Sequence, residues 1–304
     1  MRRAFLCLIL IFALLAGCQP RATSGEMQII ATTSIVGDVV RQVAGDRAEV
    51  TVLVPPGVDE HSFEPAPRDI ALVSDASLVF MNGAGLEGFI EKLAQNAGES
   101  VQLVSVSEGI EPLEGQPDED GHAEEEGIDP HFWTDPNNVL VWVDNIERAL
   151  IEADPGGADT YSANAESYRA ALRELDEWVR GQVAQIPQGH RRLVTDHTMF
   201  TYFAEEYGFE QVGAIVPGYS TLASPSAQEL AALEDAIQAQ GVPVIFVGST
   251  VNPALAERVA ADTGTRLVPI LTGSLSEPDG AAPTYLEYIR HNVTTIVEAL
   301  KSWP

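Results

Sequence analysis

Residues 160–186 read TYSANAESYRAALRELDEWVRGQVAQI. Their apolar members Tyr161, Ala165, Tyr168, Leu172, Leu175 and Val179 recur at alternating steps of four and three, a spacing that lines one face of an α-helix. Uninterrupted, this helix would run about 40 Å. Pro155-Gly156-Gly157 before it and Pro187-Gln188-Gly189 after it supply start and stop signals. Upstream, strand-like apolar runs at 27–32, 48–54 and 78–81 alternate with helical stretches at 36–44 and 66–74. Downstream, strands at 193–195, 213–216, 244–247 and 267–271 alternate with helices at 198–207, 226–240, 253–263 and 285–300. Alternation of this kind makes parallel βαβ units. The predicted fold is therefore α/β, with two lobes of parallel-type sheet flanked by helices and joined by one long rigid helix. Residues 28–153 form the N-terminal lobe, 154–189 the linker helix and 190–304 the C-terminal lobe, with a cleft between the lobes.

The N-terminus reads as a targeting signal. Arg2 and Arg3 precede an apolar stretch at 4–15, which ends in Leu15-Ala16-Gly17-Cys18. The stretch is shorter than the roughly 20 residues of a membrane-spanning helix and ends in small residues suited to a peptidase. Residues 1–17 are thus expected to be a lipoprotein signal peptide, Cys18 the lipidated N-terminus and 18–27 a flexible tether. Cleavage would remove Cys7, leaving Cys18 as the single cysteine, which excludes an intramolecular disulfide and a cysteine-based metal site.

Composition narrows the ligand. The chain has 17 Lys and Arg against 45 Asp and Glu, a formal charge of −28. Such a field repels phosphate, so a nucleic-acid partner is excluded and a cationic ligand or partner fits. Residues 109–127 interrupt the α/β pattern with acids, glycines and prolines, with His122 among them, and are predicted to form a mobile surface loop.

Three of the six histidines sit where a strand or loop gives way to a turn, near Asp and Pro. His61 follows Val54-Pro55-Pro56-Gly57-Val58-Asp59-Glu60, His131 lies in Asp129-Pro130-His131-Phe132-Trp133-Thr134-Asp135-Pro136, and His197 ends the run Leu193-Val194-Thr195-Asp196. Open α/β sheets bind ligands beyond the carboxyl ends of their strands, which places His61 and His197 well in their respective lobes. Imidazole is the commonest nitrogen ligand of zinc. The wide sequence separation of the three is unlike a local zinc motif, so spacing alone leaves ordinary hydrogen-bonded histidines as an alternative.

The lipobox, Gly57-Val58-Asp59-Glu60-His61-Ser62-Phe63-Glu64-Pro65, the segment from Asp129 to Pro136, Val194-Thr195-Asp196-His197-Thr198-Met199-Phe200-Thr201-Tyr202-Phe203 and Pro283-Thr284-Tyr285-Leu286 occur in an order that resembles the zinc/manganese solute-binding lipoproteins of ABC importers. The resemblance covers essentially the whole mature chain. It implies an extracytoplasmic receptor, lipid-anchored and monomeric, that carries one divalent ion between its lobes to an ABC permease. It also implies His61 and His131 as ligands. At the third position manganese-type members tend to carry Glu and zinc-type members His; His197 stands here, which favours zinc as the ion.

The fourth position departs from the family pattern. Many members place Asp on the last strand of the second lobe, where this chain has Gly273 in Leu271-Thr272-Gly273-Ser274-Leu275. Glu60, water, or a carboxylate from the turn at 277–279 are the candidates to complete the shell; Glu60 leads, because some zinc-type relatives also carry Glu directly before the first histidine. Asp129, Asp135 and Asp196 are candidates to orient imidazole rings, with a turn or helix cap the alternative for Asp135. The loop with His122 resembles the histidine-rich loop of zinc-type members. Alternatives to a zinc receptor are a manganese or iron receptor of the same family, an adhesion lipoprotein with a structural metal, and a three-histidine zinc hydrolase or lyase. An HExxH pairing, which would support the hydrolase, is absent from the sequence.

Overall fold

A computed structural model describes residues 27–97, 101–113, 127–248, 252–301 and 303. The signal peptide, Cys18 and His122 lie outside the described residues.

The first sheet contains β1 (Gln28–Ala31), β2 (Glu49–Val52), β3 (Leu78–Met81) and β4 (Gln102–Ser105), all parallel, in the order β2-β1-β3-β4. Helices α1 (Ser34–Ala44), α2 (Pro67–Asp75) and α3 (Ile90–Ala97) connect these strands. Alternate side chains of β1 enter different cores: Ile29 and Ala31 face the large central one, Ile30 a smaller one with Val73, Val79 and Leu93. That is a sheet covered on both faces, as parallel sheets require.

Two helices then precede the second sheet. In α4 (Pro136–Ala153) the Asp135 carboxylate accepts the Asn137 N–H at 2.9 Å, and proline stands at the first turn, where its missing N–H costs nothing. The long helix is α5 (Ala158–Val183), 26 residues, with Tyr161, Ala165, Tyr168, Leu172, Leu175, Val179 and Val183 buried along one stripe. Arg169 ties it to α4 through Asp144 and Glu147.

The second sheet repeats the plan of the first. Strands β5 (Arg192–His197), β6 (Glu210–Val216), β7 (Val244–Gly248) and β8 (Arg266–Ile270) run parallel in the order β6-β5-β7-β8. They are connected by α6 (Thr201–Tyr207), α7 (Ala227–Gln240) and α8 (Ala254–Thr263), and α9 (Tyr285–Lys301) closes the chain. Helix α9 packs on α5 and α1 as well as on β8, and its first N–H, from Tyr285, is accepted by the Asp38 carboxylate of α1 at 2.9 Å. Burial pushes the Asp38 carboxyl above its ordinary range.

One hydrophobic cluster runs through both lobes, including Ile29 and Phe80 of the first sheet, Leu172 of α5, Phe246 of the second sheet and Val293 of α9. The long helix is therefore embedded in a shared core and is not a free connector. Among the described residues no helix is long and apolar enough to cross a membrane.

The sequence pattern missed α3, β4 and α4. Strand β4 lies at the sheet edge and has one buried residue, Val104, so it shows no alternation to read. The start of α4 coincides with Asp135-Pro136, which reads equally well as a turn.

Candidate metal centre

In both sheets the strand order reverses direction of progression beside the first strand, and the segment that follows β2 meets those that follow β6 and β8 through the Asp59–Thr221 and Gly57–Ser274 hydrogen bonds. His197 is the last residue of β5 and is 2% exposed. Asp196 holds it twice: one carboxylate oxygen lies 2.9 Å from the ring Nδ1 and 2.7 Å from the His197 N–H, while the other oxygen accepts the Gly248 N–H at 2.7 Å. His131, fully buried, is held in the same way by Asp129, at 2.7 Å from Nδ1 and 2.9 Å from the main-chain N–H. The carbonyl of Asp129 in turn accepts the Tyr202 hydroxyl at 2.8 Å. A carboxylate on Nδ1 keeps the proton there and leaves Nε2 with its lone pair free.

His61 reaches the same point from residues 53–66, a segment without regular structure after β2. Its Nε2 lies 3.3 Å from the Nε2 of His131, which lies 3.3 Å from the Nε2 of His197. Tetrahedral zinc with Zn–N bonds of about 2.0–2.1 Å sets its nitrogens about 3.3–3.4 Å apart. With their Nδ1 atoms protonated against Asp129 and Asp196, the Nε2 atoms of His131 and His197 cannot hydrogen bond to each other, so this spacing suits a shared cation. Burial, reinforced by the two neighbouring rings, pulls the His61 pKa down to about 2. Burial also lowers that of His131. Burial works against a charge on His197 too, but Asp196, with Glu60 and Asp59 behind it, leaves its pKa raised.

Glu60 lies beside His61, with which it and Asp59 form a second close group. It is 2% exposed, with Oε1 3.9 Å from the His61 Nε2 and Oε2 buried without a hydrogen-bond partner. Burial, with the nearby Asp59 adding to it, pushes its carboxyl up to about 7. An orphaned buried carboxylate is costly unless a cation meets it.

Gly273 follows β8 and faces this group. A Cβ built on Gly273 would lie 1.5 Å from Glu60 Oε1 and 2.0 Å from its Cδ. The space that an aspartate would need at position 273 is thus filled by the carboxylate of Glu60. The other protein candidates, Glu277 and Asp279, are exposed on the surface. Asp135 caps α4 and does not orient a ring. His190 stacks near Trp303, with ring centroids 4.7 Å apart, and His291 lies on α9; neither joins the cluster.

The sequence reading quoted Trp133 and Tyr285 within its motifs but gave them no role, and did not single out Asn82, Glu87 or Tyr288. The Tyr285 hydroxyl donates to the Trp133 carbonyl at 2.8 Å and the Tyr288 hydroxyl to the Thr272 carbonyl at 2.6 Å, joining the His131 loop and the end of β8 through α9. Asn82 donates to the Pro130 carbonyl at 2.9 Å. Glu87, fully buried, accepts from the Thr32 hydroxyl and the Asn82 N–H, each at 2.6 Å. The available signal was position: Asn82-Gly83-Ala84-Gly85-Leu86-Glu87 follows β3 as Glu60 and His61 follow β2.

Two topologically alike α/β lobes with convergent imidazoles at their strand ends define a two-lobed metal-binding protein. The family model described as the zinc-uptake complex component A, periplasmic, matches residues 29–299, and the chain belongs to this family of substrate-binding receptors of metal ABC transporters. It is 36% identical over 301 residues, 96% of each chain, to the manganese-binding lipoprotein MntA of Halalkalibacterium halodurans. It is 34% identical over 288 residues to the iron-binding protein YfeA of Yersinia pestis, covering 94% of this chain and 90% of that one. Among solved structures, the periplasmic zinc-binding protein TroA from Treponema pallidum superposes with a TM-score of 0.83 at 26% identity, covering 91% of this chain and 99% of that one. The manganese-bound periplasmic metal-binding protein from Candidatus Liberibacter asiaticus gives 0.80 at 28% identity, covering 90% and 99%.

Proposed function

We propose that this protein is an extracytoplasmic zinc receptor, lipid-anchored through Cys18, that passes its ion to the permease of an ABC importer. The ligands are the Nε2 atoms of His61, His131 and His197 and the carboxylate of Glu60. The observation that carries this reading is the 3.3 Å spacing of the Nε2 atoms, which matches the edge of a zinc tetrahedron. Three nitrogen donors and one carboxylate suit a borderline-soft ion better than they suit manganese, which prefers oxygen. The receptor captures and releases its ion unchanged; Asp129 and Asp196 keep two imidazoles in the tautomer that presents Nε2.

A second reading, a manganese or iron receptor, is favoured by the names of the relatives MntA and YfeA. Calorimetric titration of the metal-free protein lacking residues 1–17 separates the two. The zinc reading expects one tight zinc site and weaker manganese; tighter manganese than zinc would transfer the assignment to the second reading.

A further inference from the structure

If Glu60 and His61 are ligands as proposed, half of the shell is carried by two consecutive residues on the irregular segment 53–66. The other half is fixed differently. His197 ends a strand, and both it and His131 are gripped by a carboxylate at ring and main chain. For the His61 Nδ1 no hydrogen-bond partner is found among the described residues.

The two ends of the segment are held by their own lobe, through Leu53 and Val54 at the end of β1 and Ala66 on Asp69, but its middle is held from the opposite lobe. Thr221, in the connection between β6 and α7, donates its hydroxyl to Asp59 Oδ2 at 2.7 Å, and the other oxygen of Asp59 accepts the His61 N–H at 3.1 Å. Ser274, beside Gly273, accepts the Gly57 N–H at 2.7 Å. Gly57 has φ of +79°, a conformation open to glycine and strained for other residues, so the segment is shaped for this contact. Outside His61 lies an open cavity of about 400 Å³ between the lobes, bordered by Gly85, Leu86, Pro130, Tyr219 and Leu222.

We propose that Thr221 and Ser274 are positioning residues for the metal site. Neither touches the ion; by holding residues 57–59 across the cleft they determine how long Glu60 and His61 remain on it. When these two hydrogen bonds break, both ligands can lift away together while His131 and His197 stay in place, and the ion is left exposed to the cavity beside His61. This inference rests on the ligand assignment above.

The test uses the chain without its signal peptide, loaded with zinc, and follows transfer of the ion to a chelator. Thr221→Val and Ser274→Ala should each speed release and weaken affinity about fivefold, the usual net effect of one hydrogen bond, and about 25-fold together. Thr221→Ser, which keeps the hydroxyl, should release zinc like the parent. In a His61→Ala, Glu60→Gln background, where the segment has no ligand to deliver, the same substitutions should leave affinity unchanged. Parental release rates in Thr221→Val and Ser274→Ala would overturn the proposal, as would an equal loss in both backgrounds, which marks a general structural effect. The two readings fail differently. Should His61→Ala bind zinc like the parent, the ligand assignment falls and this inference with it; should His61→Ala be weakened while Thr221→Val is not, only the positioning role falls.

Discussion

The carboxylate of Glu60 occupies the space of a side chain at position 273: a Cβ on Gly273 would stand 1.5 Å from Glu60 Oε1, so that any larger residue there makes Glu60 move. The two positions are 213 residues apart in the chain and meet only across the cleft, so each explains the other. Glycine at 273 makes room for a carboxylate that arrives from the opposite lobe.

Gly273→Asp alone should therefore weaken zinc binding, because the new side chain displaces Glu60. Glu60→Ala should cost about a hundredfold in affinity, from roughly 3 kcal/mol for one of four ligands. Combining Glu60→Ala with Gly273→Asp should recover much of that loss. Competition titration on the four proteins checks this, and a Gly273→Asp variant that binds zinc more tightly than the parent would contradict it.

His61→Ala, His131→Ala and His197→Ala should each lower zinc affinity by about a hundredfold on the same reckoning. Asp129→Asn and Asp196→Asn leave the imidazoles present but loosen their tautomer and aim, and should cost about 10- to 100-fold. Unchanged affinity in any histidine variant would remove that residue from the shell.

The metal-free protein should show the cost of burying Glu60. Its carboxyl is pushed from an ordinary 4.5 up to about 7, so folding favours the protonated form. The stability this group contributes is complete below about pH 4.5 and is lost as pH rises through about 7. Glu60→Gln lacks that loss. Denaturant titrations should find the metal-free variant more stable than the parent at about pH 8, by on the order of 3 kcal/mol, with the two converging near pH 4. Saturating zinc should reverse the order at the higher pH, since the cation then meets the carboxylate. A difference that does not change with pH would mean that Glu60 is not buried as a charge.

Cys18→Ala should abolish labelling by a fatty acid in growing cells and leave zinc binding by the mature domain unaltered. A variant that still takes up label would refute the anchor at this position.

Two of the three histidines were legible as candidates because each follows an element whose end the hydrophobic pattern locates: His197 closes the run of β5, and His61 follows β2 after a proline turn. His131 follows no such element and stood out through Asp129-Pro130-His131 and its resemblance to the family. Glu60 was legible as the leading candidate for the fourth position, and Gly273 as the departure from the family pattern; that the two meet across the cleft was not, because no local pattern encodes such a contact. Asp135 shows the same ambiguity on a smaller scale. An aspartate before a proline suits a turn and a helix start alike, and only the packing of Val139, Trp142, Val143 and Ile146 decides for α4.

Each lobe keeps a smaller core of its own, around Ile30 and Val79 in the first and Val194 and Ile245 in the second, but the side chains of Leu172, Phe246, Ile29 and Val293 belong to one uninterrupted cluster that both lobes share. Heat or denaturant should then dissolve the molecule in a single transition, with no half-folded species between. An ion bound at one edge of such a body raises the melting temperature of every part of it, by the full mass-action amount. The occupancy of a small site between the lobes is thereby written into the thermal resistance of the whole chain, where scanning calorimetry can read it without any probe near the metal.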